Sequence, residues 1–186
     1  MEVFIIISII SAIGSIGTFI MALFYFVSVS IQLYQMRISF IPALSFNQIL
    51  IIKDEEGLQL RNTGNANEEN TDQDFLKMYN LGGGAAKEIK VQIYLGNNNV
   101  LQEKYVNILP SKEGYLLPIN RDVFKELDNT IRSNANETDL HIKIFYKHNV
   151  SRKVQELHLN GKLDSFNTFN EKSIYELQFF SAKQST

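Results

Sequence analysis

The chain contains no cysteine and only three histidines among its 186 residues. The absence of cysteine excludes disulfide bonds, thiolate metal sites and a cysteine nucleophile, and it is compatible with a reducing compartment. The sequence also has no Gly-x-Ser-x-Gly motif and no pair of carboxylates embedded in apolar residues. We therefore expect a protein that is not an enzyme and needs no cofactor. An enzyme assembled from dispersed residues is the alternative.

An excess of charge of either sign is also missing. The 149 residues from position 38 onward carry 17 basic and 19 acidic side chains. Such a balance gives neither the electrostatic footprint of a nucleic-acid-binding domain nor a polybasic patch for anionic lipid. We therefore expect no nucleic acid among the partners.

The first 31 residues are almost free of charge and strongly apolar. No charged side chain occurs from Val3 to Ile31, and a helix of these 29 residues would be about 43 Å long, which exceeds the ~30 Å hydrocarbon core of a bilayer. A cleaved signal peptide would begin with basic residues, whereas only Glu2 precedes this run, and its apolar part would be about half as long. The pattern predicts residues 1–37 as one uncleaved membrane-spanning helix with its juxtamembrane segment, in contact with membrane lipid. No later run is long enough to span, so a single-pass protein is predicted.

The orientation of this helix depends on one residue. Arg37 follows the apolar run, and no lysine or arginine precedes it. Positive residues beside a membrane helix tend to stay in the cytoplasm. We therefore predict a protein of the cell membrane whose C-terminal domain is cytoplasmic.

Small residues recur along one face of the predicted membrane helix at steps of three and four, which is the spacing of a heptad seam. They are Ser8, Ser11, Ser15, Thr18 and Ala22. Small side chains let helix backbones approach closely in lipid, so this seam predicts a homo-oligomer formed through the helix. A narrow pore lined by the hydroxyls is a second interpretation. Hydroxyls that bond back to carbonyls of their own helix are a third.

Residues 38–186 have the pattern of one mainly-β domain. Ile41-Pro42 ends any helical continuation, because the residue before proline is restricted to extended geometry. The period-two segments that follow are Ala43–Phe46, Ile49–Lys53, Leu58–Asn62, Phe75–Asn80, Ala86–Leu95, Val100–Ile108, Tyr115–Leu117, Asp139–Lys147, Arg152–Leu159 and Ile174–Phe180. Their length and spacing predict an antiparallel β-sandwich. Within Asn120–Ser133, a cap at Asn120 and the helical spacing of Phe124, Leu127 and Ile131 predict one helix that crosses between sheets.

Two loops are candidate ligand sites. Residues 62–74 are polar throughout, and Asn70, Asp72 and Asp74 alternate as at the start of a calcium loop. The glycine and the distal glutamate of an EF-hand are missing, so a solvated loop is predicted and no metal site.

Gly82-Gly83-Gly84 leads into a strand, whereas a phosphate-binding loop would continue as Gly-Lys-Ser/Thr into a helix. We expect a β-bulge or a positive-φ turn there.

The strands on either side of His148–Ser151 are predicted to form a hairpin. If the turn is centred between Asn149 and Val150, residues pair when their numbers sum to 299, which places His141 directly opposite His158 on the face away from the core. Two such imidazoles could share a metal ion or respond to pH. Zinc needs at least three protein ligands and the sequence offers no third, so a surface pair without function is the alternative.

Three short motifs give the chain a family resemblance. A membrane helix is followed by Arg37…Ile41-Pro42, by Asn80-Leu81-Gly82-Gly83-Gly84-Ala85-Ala86, and by Ile144-Phe145-Tyr146. In this it resembles small, uncharacterised bacterial membrane-anchored proteins that carry an immunoglobulin-like sandwich with Arg-x-Pro, Asn-x-Gly-x-Gly-x-Ala and Tyr-x-Asp motifs. The chain departs from that pattern in the distance of Arg37 from the proline and at Lys147, where aspartate is usual. The resemblance implies a fold and a membrane topology, and no activity.

These observations predict a non-enzymatic, membrane-anchored binding or sensor module that self-associates through its helix. Its domain would recognise an unidentified protein or small-molecule ligand. The alternative is a ligand-gated oligomeric pore, such as an antiviral-defence or abortive-infection effector that permeabilises the host membrane.

Overall fold

The computed structural model describes residues 1–54, 57–62, 75–96, 99–133, 137–169 and 172–182. The predicted calcium-like positions Asn70, Asp72 and Asp74 lie outside the described residues. The chain forms two compact units, Met1–Ser39 and Phe40–Thr186.

The first unit is a single helix, α1 (Glu2–Ser39). Its 38 residues correspond to about 57 Å at 1.5 Å per residue. The helix is long and apolar enough to cross a membrane, and none of its side chains is buried. It ends at Ser39, three residues before Pro42, which agrees with the restriction that proline imposes on the preceding residue.

The second unit contains ten strands and one helix within the described residues. The strands are β1 (Leu44–Phe46), β2 (Ile49–Lys53), β3 (Leu58–Asn62), β4 (Phe75–Asn80), β5 (Ala86–Leu95), β6 (Asn99–Leu109), β7 (Gly114–Pro118), β8 (Glu137–His148), β9 (Ser151–Phe169) and β10 (Lys172–Ser181). The helix, α2 (Arg121–Arg132), follows β7 and precedes β8. The predicted mainly-β composition and the single additional helix are confirmed.

The strands form two antiparallel sheets. The small sheet has the order β1-β4-β7, and the large sheet has the order β3-β2-β10-β9-β8-β5-β6 and is curled. Because β7 belongs to the small sheet and β8 to the large one, α2 makes the predicted crossover between sheets. An immunoglobulin constant-type sandwich has seven strands divided as four and three. Here the strands are divided as seven and three, so the topology does not establish the predicted immunoglobulin-like sandwich.

One contiguous hydrophobic core receives side chains from both sheets and from α2. Its fully buried members include Ile49, Ile51, Ile89, Ile93, Leu140, Ile142 and Ile144 from the large sheet, Leu76, Met78 and Leu117 from the small sheet, and Val123 and Leu127 from α2. Along β5, Ile89, Val91 and Ile93 are buried and the residues between them are not. This is the period-two burial that the sequence predicts.

Asn120 begins α2 and also attaches it to the large sheet. Its side-chain oxygen accepts hydrogen bonds from the N–H groups of Asp122 and Val123, which is the predicted N-cap. Its Nδ2 donates to the carbonyl oxygen of Leu101 on β6 at 2.6 Å. The same residue therefore fixes the start of the helix and its position against β6.

β9 continues ten residues past its predicted end, from Leu159 to Phe169. Asn160-Gly161 interrupts the apolar alternation and so has the pattern of a strand end. Gly161 instead lies inside β9, where a Cβ would come within 2.9 Å of the carbonyl oxygen of Leu140. The close approach of β8 explains a glycine in the middle of a strand.

Candidate functional site

The small residues of the predicted seam all lie exposed on α1. They are Ser8, Ser11, Ser15, Thr18 and Ala22. The hydroxyl of Thr18 donates a hydrogen bond to the carbonyl oxygen of Gly14 at 2.9 Å, so at this position the bond back to the helix is present. A Cβ added to Gly14 or Gly17 would meet no atom within 4 Å. No packing within the described chain requires glycine at these two positions.

The two predicted histidine partners lie on neighbouring strands but not opposite each other. His141 pairs with Asn160, and His158 pairs with Lys143. The predicted register holds at the two ends of the hairpin, where His148 pairs with Ser151 and Glu137 pairs with Lys162, and it is wrong by two residues from His141 to Tyr146. The reason is that β9 accommodates two additional residues just after the turn. Because the register is shifted by an even number of residues, both histidines still lie on the predicted face of the sheet, away from the core.

Each of these imidazoles has its own polar partner. His141 Nδ1 lies 2.9 Å from Asn160 Oδ1, and His158 Nε2 lies 2.6 Å from Glu156 Oε1. In the part of the chain that the structure describes, no group of three or more histidine or acidic side chains is placed to hold a metal ion. The two rings thus belong to separate polar pairs on the surface of the large sheet.

Asn80, the last residue of β4, is completely buried, and its side chain makes five hydrogen bonds. Its Oδ1 accepts from the N–H groups of Ala43 and Gly82, both at 3.2 Å. Its Nδ2 donates to the carbonyl oxygens of Gly84 at 2.7 Å, Leu109 at 3.2 Å and Pro110 at 3.0 Å. One amide therefore bonds backbone groups of three separate segments, residues 40–43, 82–84 and 109–113. We call Asn80 together with these three segments the Asn80 hub.

Backbone hydrogen bonds connect the same three segments. The N–H of Leu81 donates to the carbonyl of Ala43, and the N–H of Lys112 donates to the carbonyl of Asn80, both at 2.8 Å. The Ser111 hydroxyl donates to the carbonyl of Gly82 at 2.6 Å. The segment that follows α1 is thus held from its first residues by the interior of the β-domain.

The glycines of this hub are required by close approach of the backbone. Neither Gly82 nor Gly84 has a positive φ, and neither lies in a bulge, so the predicted conformation is wrong. A Cβ on Gly82 would lie 2.3 Å from the carbonyl oxygen of Ile41, and one on Gly84 would lie 1.8 Å from that of Phe40. The Asn-x-Gly-x-Gly-x-Ala motif is therefore a packing motif, and it ends in the fully buried Ala86.

The face of the large sheet that points away from the core carries a network centred on Glu103. Lys90 Nζ lies 2.8 Å from Glu103 Oε2, Gln92 Nε2 donates to the same oxygen at 2.6 Å, and the Tyr105 hydroxyl donates to Oε1 at 2.7 Å. These donors, Lys90 first, lower the pKa of Glu103 to about 2, and Glu103 in turn raises the pKa of Lys90. The ion pair is therefore formed at all pH values near neutrality.

Tyr94 lies next to this network on the same face. Its ring centroid is 5.3 Å from that of His141, and Lys143 Nζ lies 4.8 Å from the ring centroid. Burial, and then the charge of Glu156, raise the pKa of the Tyr94 hydroxyl. The phenol thus stays protonated at neutral pH and keeps its proton to donate.

A β-bulge interrupts β5 at Glu88. The pairing of β5 with β8 shifts by one residue between the pair Lys87–Lys147 and the pair Lys90–Phe145. Glu88 has φ of +48°, a left-handed conformation that costs a non-glycine residue about 1–2 kcal/mol. Its Oε2 lies 2.5 Å from Lys147 Nζ. The bulge therefore directs the Glu88 carboxylate to the next strand of the sheet.

A groove with a volume of about 650 Å³ lies beside this bulge and crosses β6, β5, β8 and β9; we call it the outer groove. Its lining residues are Glu88, Ile89, Lys90, Tyr105, Val106, Asn107, Phe145, Lys147 and Val154. The side chains of Tyr105 and Val154 are 64% and 54% exposed. The volume lies in the range of small-molecule sites. Sequence reasoning missed this groove because its residues come from four strands and meet only through their register.

A second groove, of about 580 Å³, is lined by residues of α2 and by Lys53, Asp54, Gly57 and Leu58. One lining residue, Asp128, has its carboxylate 2.8 Å from Lys53 Nζ and 2.7 Å from Arg132 Nε. Lys53, and then Arg132, lower the pKa of the Asp128 carboxyl. These cations are already paired, so the groove is a salt-bridge network that attaches α2 to β2.

The comparisons with known proteins add no relative. No family model, no curated protein and no solved structure matches this chain.

Proposed function

We propose that the protein is a non-enzymatic, membrane-anchored binding or sensor module that self-associates through α1. The observation that carries the proposal is a 38-residue apolar helix with no buried side chain. Exposed apolar surface costs about 25 cal/mol per Å² in water, whereas a bilayer accommodates such a helix without that cost. Membrane lipid is therefore its first partner.

The seam of small residues supports self-association. Glycine costs about 1 kcal/mol relative to alanine inside a helix, and within the described residues nothing packs on Gly14, which lies beside the seam about 40° from Thr18. Close contact with a second helix would make this position useful, because small residues are what such contacts require in lipid. We propose a homo-oligomer in which Ser11 and Ser15 face the neighbouring copy.

The absence of cysteine allows a direct test of this contact. Single variants Ser15→Cys, on the seam, and Ser28→Cys, about 140° away around the helix, would be expressed at native density in membranes and oxidised. We expect a disulfide-linked dimer from Ser15→Cys and much less from its matched control, since both thiols replace a serine of nearly the same size. A monomer from both variants would contradict self-association.

We propose that the β-domain lies in the cytoplasm, because Arg37 occupies the last turn of α1. The exposed Asn129 on α2 provides a labelling position. An Asn129→Cys variant should react with a membrane-impermeant maleimide only after the cells are opened. Labelling of intact cells would show that the β-domain lies outside the cytoplasm.

We also propose that the chain is related to the small bacterial membrane-anchored proteins with an immunoglobulin-like sandwich. Support comes from the Asn80 hub, which gives the shared Asn-x-Gly-x-Gly-x-Ala motif a physical role. The corresponding asparagine in those proteins should bond the segment that follows their membrane helix. A structure of one of them without this contact would argue against the relationship.

A further inference from the structure

We infer that the outer groove binds a soluble small molecule that has an aromatic body and one anionic headgroup. The inference rests on the proposed function, since it names the ligand class of the sensor domain. It is carried by the volume of the groove, by its fixed aromatic wall and by an excess of positive charge at one end.

The aromatic wall is held in position before any ligand arrives. The Tyr105 hydroxyl is bonded to Glu103 at 2.7 Å, and Lys90 Nζ lies 5.5 Å from the Tyr105 ring centroid. Phe145 and Val154 add to the apolar lining, as do Ile89 and Val106. A flat apolar body would cover these side chains without having to order them first, which lowers the entropy cost of binding.

The anionic headgroup is assigned to the end of the groove beside Lys147. Lys87 and Lys147 are paired directly across β5 and β8, and like charges in that arrangement repel. The carboxylate that lies against Lys147 comes from Glu88, which reaches it from a strained backbone. A ligand anion at Lys147 would replace this carboxylate and offset the repulsion between the two lysines.

Lys90, the other lysine of the groove, is a weaker candidate for this role. Its partner Glu103 is held by three donors, and the side chains of this pair are 31% and 34% exposed. The side chains of Lys147 and Glu88 are 44% and 64% exposed. The more exposed pair is the easier one to exchange for a ligand.

The test uses the full-length chain in nanodiscs of zwitterionic lipid and three probes with the same ring system. Naphthalene-1-sulfonate carries the anion, naphthalen-1-ylmethanol is neutral, and naphthalen-1-ylmethylammonium is cationic; empty nanodiscs give the background for lipid partitioning. In calorimetric titrations we expect the sulfonate to bind at least about fivefold more tightly than the alcohol, as one partly exposed ion pair would provide. The ammonium should not compete with it. Equal binding of all three probes, or none, would overturn the inference.

Two charge variants of nearly unchanged size separate ligand contact from damage to the fold. Lys147→Gln should weaken sulfonate binding about fivefold, whereas Glu88→Gln should strengthen it about two- to fivefold, because it removes the competing carboxylate. Lys162→Gln, on β9 and outside the groove lining, is the matched control and should change nothing. Val154→Trp should fill the groove and abolish binding.

The failure of this inference can be distinguished from the failure of the proposed function. Unchanged affinity in both Lys147→Gln and Glu88→Gln would remove the headgroup assignment. Absence of sulfonate binding together with an intact Ser15→Cys crosslink would overturn the outer groove as the site and leave the membrane-anchored oligomer in place.

Discussion

The side-chain oxygen of Asn80 accepts a hydrogen bond from the backbone N–H of Ala43 at 3.2 Å. This contact joins the buried end of β4 to the residues that directly follow α1. Asn80 is fully buried, so its amide would be a polar group shielded from water if these backbone partners did not bond it. The contact therefore explains why an asparagine stands at the end of an otherwise apolar strand face.

Asn80→Ala should lower the free energy of unfolding by about 3–5 kcal/mol. The substitution leaves two backbone N–H groups and three carbonyls without their side-chain partner, at about 1 kcal/mol for each bond. Urea unfolding of the full-length chain in detergent, followed by near-UV circular dichroism of its tyrosines, measures the loss. Asn107→Ala, exposed on β6, is the control and should cost less than about 0.5 kcal/mol. Equal losses of stability from the two substitutions would contradict the stabilising role of the Asn80 side chain.

Gly84→Ala should destabilise the domain by about 3 kcal/mol or more, because its new Cβ would lie 1.8 Å from the carbonyl oxygen of Phe40 and the backbone must move. Gly114→Ala is the matched control. There the nearest atom is the tip of the Tyr79 side chain at 3.3 Å, which can shift, so the cost should stay below about 1 kcal/mol. The same unfolding measurement compares them, and a mild Gly84→Ala would show that residues 40–43 do not pass over the loop.

Glu103→Gln should change how stability depends on pH. The folded-state pKa of Glu103 is about 2, below the ordinary value of 4.5, so the carboxylate stabilises the fold fully above pH 4.5 and loses this contribution as the pH falls toward 2. The difference in urea midpoint between wild type and Glu103→Gln should therefore be largest near pH 7 and shrink between pH 4.5 and 2. Glu113→Gln removes an exposed carboxylate outside this network and serves as the control. A difference in urea midpoint that stays constant between pH 4.5 and 2 would show that the ion pair with Lys90 does not stabilise the Glu103 carboxylate.

The pore hypothesis makes a separate prediction about the hydroxyls of α1. If they line a conducting pore, overexpression should depolarise cells, and the double variant Ser11→Leu/Ser15→Leu should abolish the effect, since a ring of leucines closes a narrow lumen. Ser28→Leu, on another face of α1, should leave it intact. A membrane-potential dye provides the measurement. Depolarisation that persists in the double variant would show that the seam does not line a pore.

The local elements were predictable because local patterns determine them. β5 was found with its correct ends from the alternation of Ile89, Val91 and Ile93, and α2 from a capping asparagine followed by helical spacing. Faces in the predicted hairpin are also correct for Ile142 and Leu159, which are buried, because a face depends only on whether a residue number is odd or even.

Relationships between distant segments were not predictable in the same way. A two-residue irregularity in β9 leaves the residues on their predicted faces, so the apolar pattern of the sequence does not reveal it. It nevertheless changes the cross-strand partner of His158 from the predicted His141 to Lys143. The need for glycine at position 84 comes from the Phe40 carbonyl, which is 44 positions away in the sequence. The outer groove depends on the register of four strands and on one bulge, neither of which the sequence displays.

The bond from Asn120 to Leu101 also bears on how copies of the protein can be crowded together. β6 is the terminal strand of the large sheet, and open strand edges recruit other chains into aggregates. Asn120 occupies one carbonyl of β6, and Lys104 stands opposite the buried Val91, where an added strand would have to desolvate its charge. If α1 concentrates copies of the chain in a membrane, as we propose, these two features of β6 would oppose the edge-to-edge stacking of their large sheets.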